Sequence, residues 1–287
     1  MTTIPASRVV KFRGADGVNL VADAAGDPQA PAVVLLHGGG QTRHSWDGAL
    51  RALVGRGYHV INVDARGHGD SDWSEHGNYS VDVLADDLRR IIDTLPNPPA
   101  LVGASMGGMT ALLTVAREPG VIARALVLVD IVPQLEAAGV SRIVRFFLGN
   151  EQGFATLEEA AAAVSAYNPH RPRPRDISGL MKNLRRRADG RLHWHWDPKF
   201  FRRDRALEPP LDASGHASQY RHVQLPVLVV RGLRSDLISG AGVEAFRRQV
   251  PQLEVFDVEG AGHMVVGDRN DLFNAGILDF LQRHLPL

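Results

Sequence analysis

Ser105 lies in the pentapeptide Gly103-Ala104-Ser105-Met106-Gly107, the form G-x-S-x-G. The apolar run Pro99-Ala-Leu-Val102 precedes it, and Met106, Met109, Leu112, Leu113 and Ala116 follow at helical spacing before Pro119-Gly120 stops the pattern. The spacing predicts a sharp turn between strand and helix, with Gly103 and Gly107 where side chains would collide with neighbouring backbone. Such a turn exposes the hydroxyl and points the Met106 N–H at whatever it attacks, so backbone donors can hold an oxyanion there. A serine hydroxyl needs a base to take its proton, and the base needs an acid to fix its tautomer. Of twelve histidines, His263 follows the last expected strand, in Glu259-Gly-Ala-Gly-His263, with small residues around it. Asp236 follows the preceding strand, in Gly232-Leu-Arg-Ser-Asp236. In chain order Ser105, Asp236 and His263 are nucleophile, acid and base.

The elements that must position these side chains alternate. Arg8–Phe12 and Asn19–Asp23 read as an antiparallel pair at a sheet edge, joined by the turn 14–17. Pro31–His37, Tyr58–Val63, Ala125–Val129, Pro226–Arg231 and Leu253–Val258 read as buried strands. Between them run helical patterns at Trp46–Leu53, at Val81–Leu95 with Ser80 as its cap, at Gly242–Val250 and at Asp268–Leu281. This alternation predicts a doubly wound, mostly parallel α/β sheet with helices on both faces, whose functional residues gather beyond the strand C-termini. From 134 to 222 it lapses. Val140–Leu148 and Leu157–Tyr167 are amphipathic, Pro169–Arg175 reads as a connector, and strand signal is slight. We expect a core of residues 1–133 and 223–287 with a helical cap inserted at 134–222.

Composition excludes several classes. The 287 residues carry a formal net charge of zero, which gives no overall electrostatic case for nucleic acid or an anionic membrane. There is no cysteine, hence no disulfide, thiolate metal site or cysteine nucleophile. The N-terminal residues have no secretory pattern and no run reaches a membrane span, so the expectation is a cytoplasmic protein.

Five pieces together, His37-Gly-Gly-Gly40, Asp64-Ala-Arg-Gly-His-Gly69, Gly103–Gly107, Arg231–Asp236 and Gly260–His263, resemble the α/β-hydrolase superfamily in its serine-nucleophile branch with a helical cap. The resemblance spans 31–130 and 223–284. It implies Ser105 as nucleophile, His263 as general base and then acid, Asp236 as orienting carboxylate, and an oxyanion hole from the Gly39 and Met106 N–H groups. Gly38 is the alternative second donor, and Asp130, at the end of the strand after the nucleophile helix, is the alternative acid. Relatives with aspartate as nucleophile are epoxide hydrolases and haloalkane dehalogenases, and Ser105 argues against both. The family piece containing His68 shapes a turn, and His37 is expected to order the oxyanion loop. Trp194 and Trp196 are candidates for the pocket wall or the cap core. His193 and His195 lack a third ligand at metal-binding spacing, and no metal or cofactor is expected. The implied activity is hydrolysis of a small ester, thioester or lactone through an acyl-enzyme. Carbon–carbon bond hydrolysis or metal-free peracid formation by the same triad is the alternative, and a non-catalytic binding scaffold the third reading.

Overall fold

A computed structural model describes residues 7–118, 120–169, 175–200, 214–263 and 270–287. The Pro/Arg-rich connector, for the most part, and the expected helix start at Asp268 lie outside them, as do residues 1–6. Eight strands form one sheet. In chain order they are β1 (Arg8–Arg13), β2 (Asn19–Ala25), β3 (Ala32–Leu36), β4 (His59–Val63), β5 (Ala100–Ala104), β6 (Ala125–Val129) and, after an insertion described below, β9 (Val227–Gly232) and β10 (Leu253–Val258). Their order across the sheet is β1-β2-β4-β3-β5-β6-β9-β10, with β1 and β2 antiparallel and every pair from β4 onward parallel. The expected N-terminal pair forms, but only β1 is an edge, because β2 also pairs with β4.

Each parallel strand is apolar along its length because both faces are covered. Val34, Leu36, Leu101, Leu126, Leu128, Val227 and Val229 face one layer. That layer contains α2 (Val81–Ile92), α3 (Met106–Arg117) and α6 (Gly240–Gln249). Their alternate neighbours Val33, Leu35, Val102, Val127, Leu228 and Val230 face the other layer, made of α1 (Asp47–Val54) and α7 (Asn270–His284). The Ser80 hydroxyl caps α2 by accepting the Val83 N–H at 3.4 Å. Among the described residues, no helix is long and apolar enough to cross a membrane.

The insertion between β6 and β9 holds α4 (Ala137–Leu148) and α5 (Leu157–Tyr167) where the amphipathic stretches predict them. It also holds a small antiparallel pair, β7 (Leu184–Arg186) and β8 (Leu192–Trp194), so it is not purely helical. Strands of three residues are too short to show a period of two in the sequence. The insertion has its own small core of Phe154, Leu184, Leu192, Trp194 and Trp196. Chain direction across the sheet reverses at β3, which lies between β4 and β5, and the loops leaving β3 and β5 meet at this switch point.

Candidate active site

Ser105 occupies the turn between β5 and α3 with φ 47° and ψ −114°, a left-handed conformation disfavoured for a residue with a side chain. The turn is tight enough to dictate its glycines. A Cβ on Gly107 would come within 2.4 Å of the Leu36 carbonyl oxygen, and one on Gly103 within 2.4 Å of the Gly107 backbone. The Ser105 N–H bonds the Val129 carbonyl at 3.1 Å, which ties the turn to the end of β6. Met106 is the first residue of α3, where N–H groups have no helical partner.

Asp130 follows β6 immediately, fully buried and also at positive φ, 50°. Its carboxylate accepts from the Gly232 N–H at 3.1 Å, from the Ser235 hydroxyl, and from His263 Nδ1 at 2.7 Å. A hydrogen bond from Nδ1 leaves the proton-free nitrogen of neutral His263 at Nε2.

Asp236 does not meet His263, contrary to the order read from the sequence. The loop after β9 turns Ser235 toward Asp130, which leaves the next side chain facing the opposite way. Asp236 instead accepts from Arg142 of α4 at 2.9 Å, with about 40 % of its side chain exposed. Gly139 of α4 packs on the Asp236 backbone, where a Cβ would come within 2.3 Å of the carbonyl oxygen.

The loop 37–41 runs beside Ser105: a Cβ on Gly38 would sit 3.5 Å from the Ser105 Cβ. His37 Nδ1 donates to the Gly38 carbonyl at 2.8 Å, and its Nε2 accepts the Ala65 N–H at 3.0 Å. The Gln41 N–H also bonds the Gly38 carbonyl, at 3.1 Å. Gly38 C=O and Gly39 N–H belong to one planar peptide and point in opposite directions, so holding the carbonyl fixes where the Gly39 N–H points. That N–H is free among the described residues, whereas the Gly38 N–H is given to Gln41 Oε1 at 3.3 Å. Of the two candidates from the sequence, Gly39 is the available donor.

The Asp64–Gly69 piece is a scaffold. Buried Asp64 accepts from the Arg43 guanidinium and, at 2.7 Å, from the Arg43 N–H. Arg66 is bidentate to buried Asp87 at 2.6 Å through both contacts. His68 Nδ1 donates to the Arg66 carbonyl at 3.1 Å and its Nε2 accepts the Gly40 N–H at 3.1 Å, so it shapes the turn and reaches the neighbouring loop.

Trp194 and Trp196 are buried and stack 5.0 Å apart. Trp196 also reaches Gly40, with Cζ3 3.2 Å from where a Cβ would stand, and Phe147 lies closer still. His193 pairs with Asp189 at 2.7 Å. His195 takes the Gly69 N–H on Nδ1 at 2.7 Å, a role the sequence did not reveal. Its only signal is the alternation His193-Trp-His-Trp196, which sets His195 apart from the two tryptophans of the insertion's core. The same segment is fixed by the Asp197 N–H to the Gly67 carbonyl at 2.9 Å and by the Tyr79 hydroxyl to Asp197 Oδ2 at 2.5 Å.

His37, His68 and His195 form a buried row with ring centroids 5.2 and 6.0 Å apart. Burial pushes each below the ordinary histidine range, with mutual repulsion adding to the effect on His68 and His195, and His195 is pushed down to about 3. Below about pH 6.5 the unfolded chain therefore binds protons that the fold refuses, so stability is complete above that pH and falls as the pH drops toward 3. For His195 alone the expected loss is about 1.4 kcal/mol per pH unit, and the other two act in the same direction. Urea unfolding at pH 7, 6 and 5 checks this. Stability that does not change over that range would contradict a neutral row.

A family model described as alpha/beta hydrolase fold matches residues 31–269. The chain is 31 % identical over 247 residues to the esterase Rv0045c of Mycobacterium tuberculosis, covering 84 % of this chain and 79 % of that protein. It is 33 % identical over 249 residues to a 3-hydroxybutyrate-oligomer hydrolase of Cupriavidus necator, covering 81 % and 84 %. In three dimensions it is similar to E-2-(acetamidomethylene)succinate hydrolase, with TM-score 0.81 at 24 % identity over 96 % of this chain and all of that one; this is a likeness of fold.

Proposed function

The chain belongs to the α/β-hydrolase family, and from that premise we propose that it is a serine hydrolase acting on a small ester, thioester or lactone. The observation that carries this is the 2.7 Å contact of His263 Nδ1 with buried Asp130, which follows the strand next to the one that delivers Ser105. Nε2 of His263 takes the Ser105 proton as Oγ attacks the acyl carbon. The Gly39 and Met106 N–H groups receive the oxyanion. His263 then protonates the leaving group, and the acyl group stays on Ser105. Water deprotonated by the same nitrogen attacks this acyl-enzyme and frees the acid. Asp130 holds the tautomer and stabilises the imidazolium; Asp236 takes no part. No step calls for a metal or an organic cofactor. The insertion is the cap, and Phe147 and Trp196 above Gly40 make the wall next to the oxyanion loop apolar.

A fluorophosphonate probe tests the reading, because only an activated serine reacts quickly with it. The expected result is one label per chain on the peptide containing Ser105. A chain that stays unlabelled would instead be a binding scaffold. Product analysis across ester chain lengths, lactones, dienoate diketones and peroxide-dependent halogenation then separates ester hydrolysis from the carbon–carbon and peracid chemistries.

A further inference from the structure

The loop 38–41 is flanked on two sides. His37 and His68 hold it from the core, through the Gly38 carbonyl and the Gly40 N–H. From the insertion side His195, only 2 % exposed, packs beside it. Its Nδ1 accepts the Gly69 N–H at 2.7 Å, so the neutral ring carries its proton on Nε2. That nitrogen is buried near the Gln41 carbonyl but falls short of a full hydrogen bond. The ring thus lies between the Asp64–Gly69 piece and the last residue of the oxyanion loop. His68 is beside it at 6.0 Å, the His195 ring itself stands edge-on to Trp196 at 5.7 Å, and His37, Arg185 and Asp70 are the titratable and charged groups that act on it. Arg185 fixes the other side of the same peptide segment by donating to the Gly69 carbonyl and to Asp70.

We propose that His195 is a positioning residue: from the cap, its imidazole braces Gly69 against Gln41 and keeps residues 38–41 in the conformation that aims the Gly39 N–H at the oxyanion. This rests on the reading of Ser105 as nucleophile and adds a dependence of the oxyanion hole on the cap. A group that touches neither substrate nor Ser105 would then act on turnover. An oxyanion donor works on the transition state more than on the bound substrate, so its misplacement lowers kcat and leaves KM nearly unchanged. A residue that merely fills space would show no such split.

Two variants separate the bond from the volume. His195→Phe keeps a ring of similar size and leaves the Gly69 N–H without an acceptor. His195→Asn keeps an acceptor near the Nδ1 position. With an ester substrate, His195→Phe should lose about 10²-fold in kcat, the scale of a misplaced catalytic group, with KM within about 3-fold. His195→Asn should recover most of that loss. Hydrogen–deuterium exchange of the peptide spanning 36–46 should be faster in His195→Phe and near wild type in His195→Asn. Full kcat in a folded His195→Phe, or unchanged exchange there, overturns the proposal. Should His195→Phe not fold, His195→Gln, which withdraws the acceptor from Gly69, takes its place with the same expectations. The two readings fail separately: an unreactive Ser105 in the wild-type probe assay defeats the serine mechanism, while the exchange measurement still decides whether His195 holds the loop.

Discussion

Ser105→Ala is expected to lower turnover of an ester substrate by at least about 10⁴-fold, with unfolding behaviour close to that of the wild type. The variant removes one oxygen and nothing that supports the turn. Alanine keeps a Cβ at φ 47°, so the backbone strain of about 1–2 kcal/mol is the same in both chains. Glycine would be a poorer test, because it would relax that turn and move the Met106 N–H along with the missing hydroxyl. The rate that survives in the alanine variant comes from binding and the oxyanion donors acting on water, typically about 10³–10⁴ above the uncatalysed reaction. Steady-state kinetics with an activated ester, compared with the uncatalysed rate in the same buffer, measures the drop. Hydrolysis within about tenfold of the wild type would show that the acyl group never passes through residue 105.

The sequence makes this site legible unevenly, for physical reasons. Ser105 and its glycines are readable because the turn leaves no room for a Cβ at Gly103 or Gly107, so geometry is written in residue type. The sheet is readable because strands such as β5 and β6 are buried on both faces and stay apolar throughout. Asp130 and Asp236 are a different case. Both are aspartates just beyond a strand, and side-chain direction separates them. That direction depends on Ser235 turning in and Asp236 turning out toward Arg142, which composition and spacing do not encode. His195 is illegible for a related reason. Its acceptor role exists only because a segment 126 residues away along the chain brings the Gly69 N–H to it. The strands β7 and β8 pair three residues each and depend on a tertiary setting that includes the aromatic cluster of the insertion.

Asp130→Asn and Asp236→Asn should differ by about a thousandfold or more in activity, although the substitution is the same. At 130 the amide has one acceptor atom where the carboxylate has two, and three donors converge there. With the amide oxygen toward Gly232, the NH2 group faces His263 Nδ1, and the ring must carry its proton on Nε2. In the proposed mechanism that nitrogen takes the Ser105 proton, and a triad in the wrong tautomer typically loses about 10⁴ in kcat. With the amide reversed, NH2 meets the Gly232 N–H in a buried site, donor against donor, and folding suffers. At 236 the substitution weakens a half-exposed ion pair with Arg142, worth about 0–1 kcal/mol, and leaves His263 untouched. That variant should remain within about threefold of wild-type kcat/KM. Measuring both with the same ester, with thermal unfolding alongside to confirm that each is folded, decides between the carboxylates. A crippled Asp236→Asn beside an active Asp130→Asn would mean that the working enzyme swings its base away from the contact seen here.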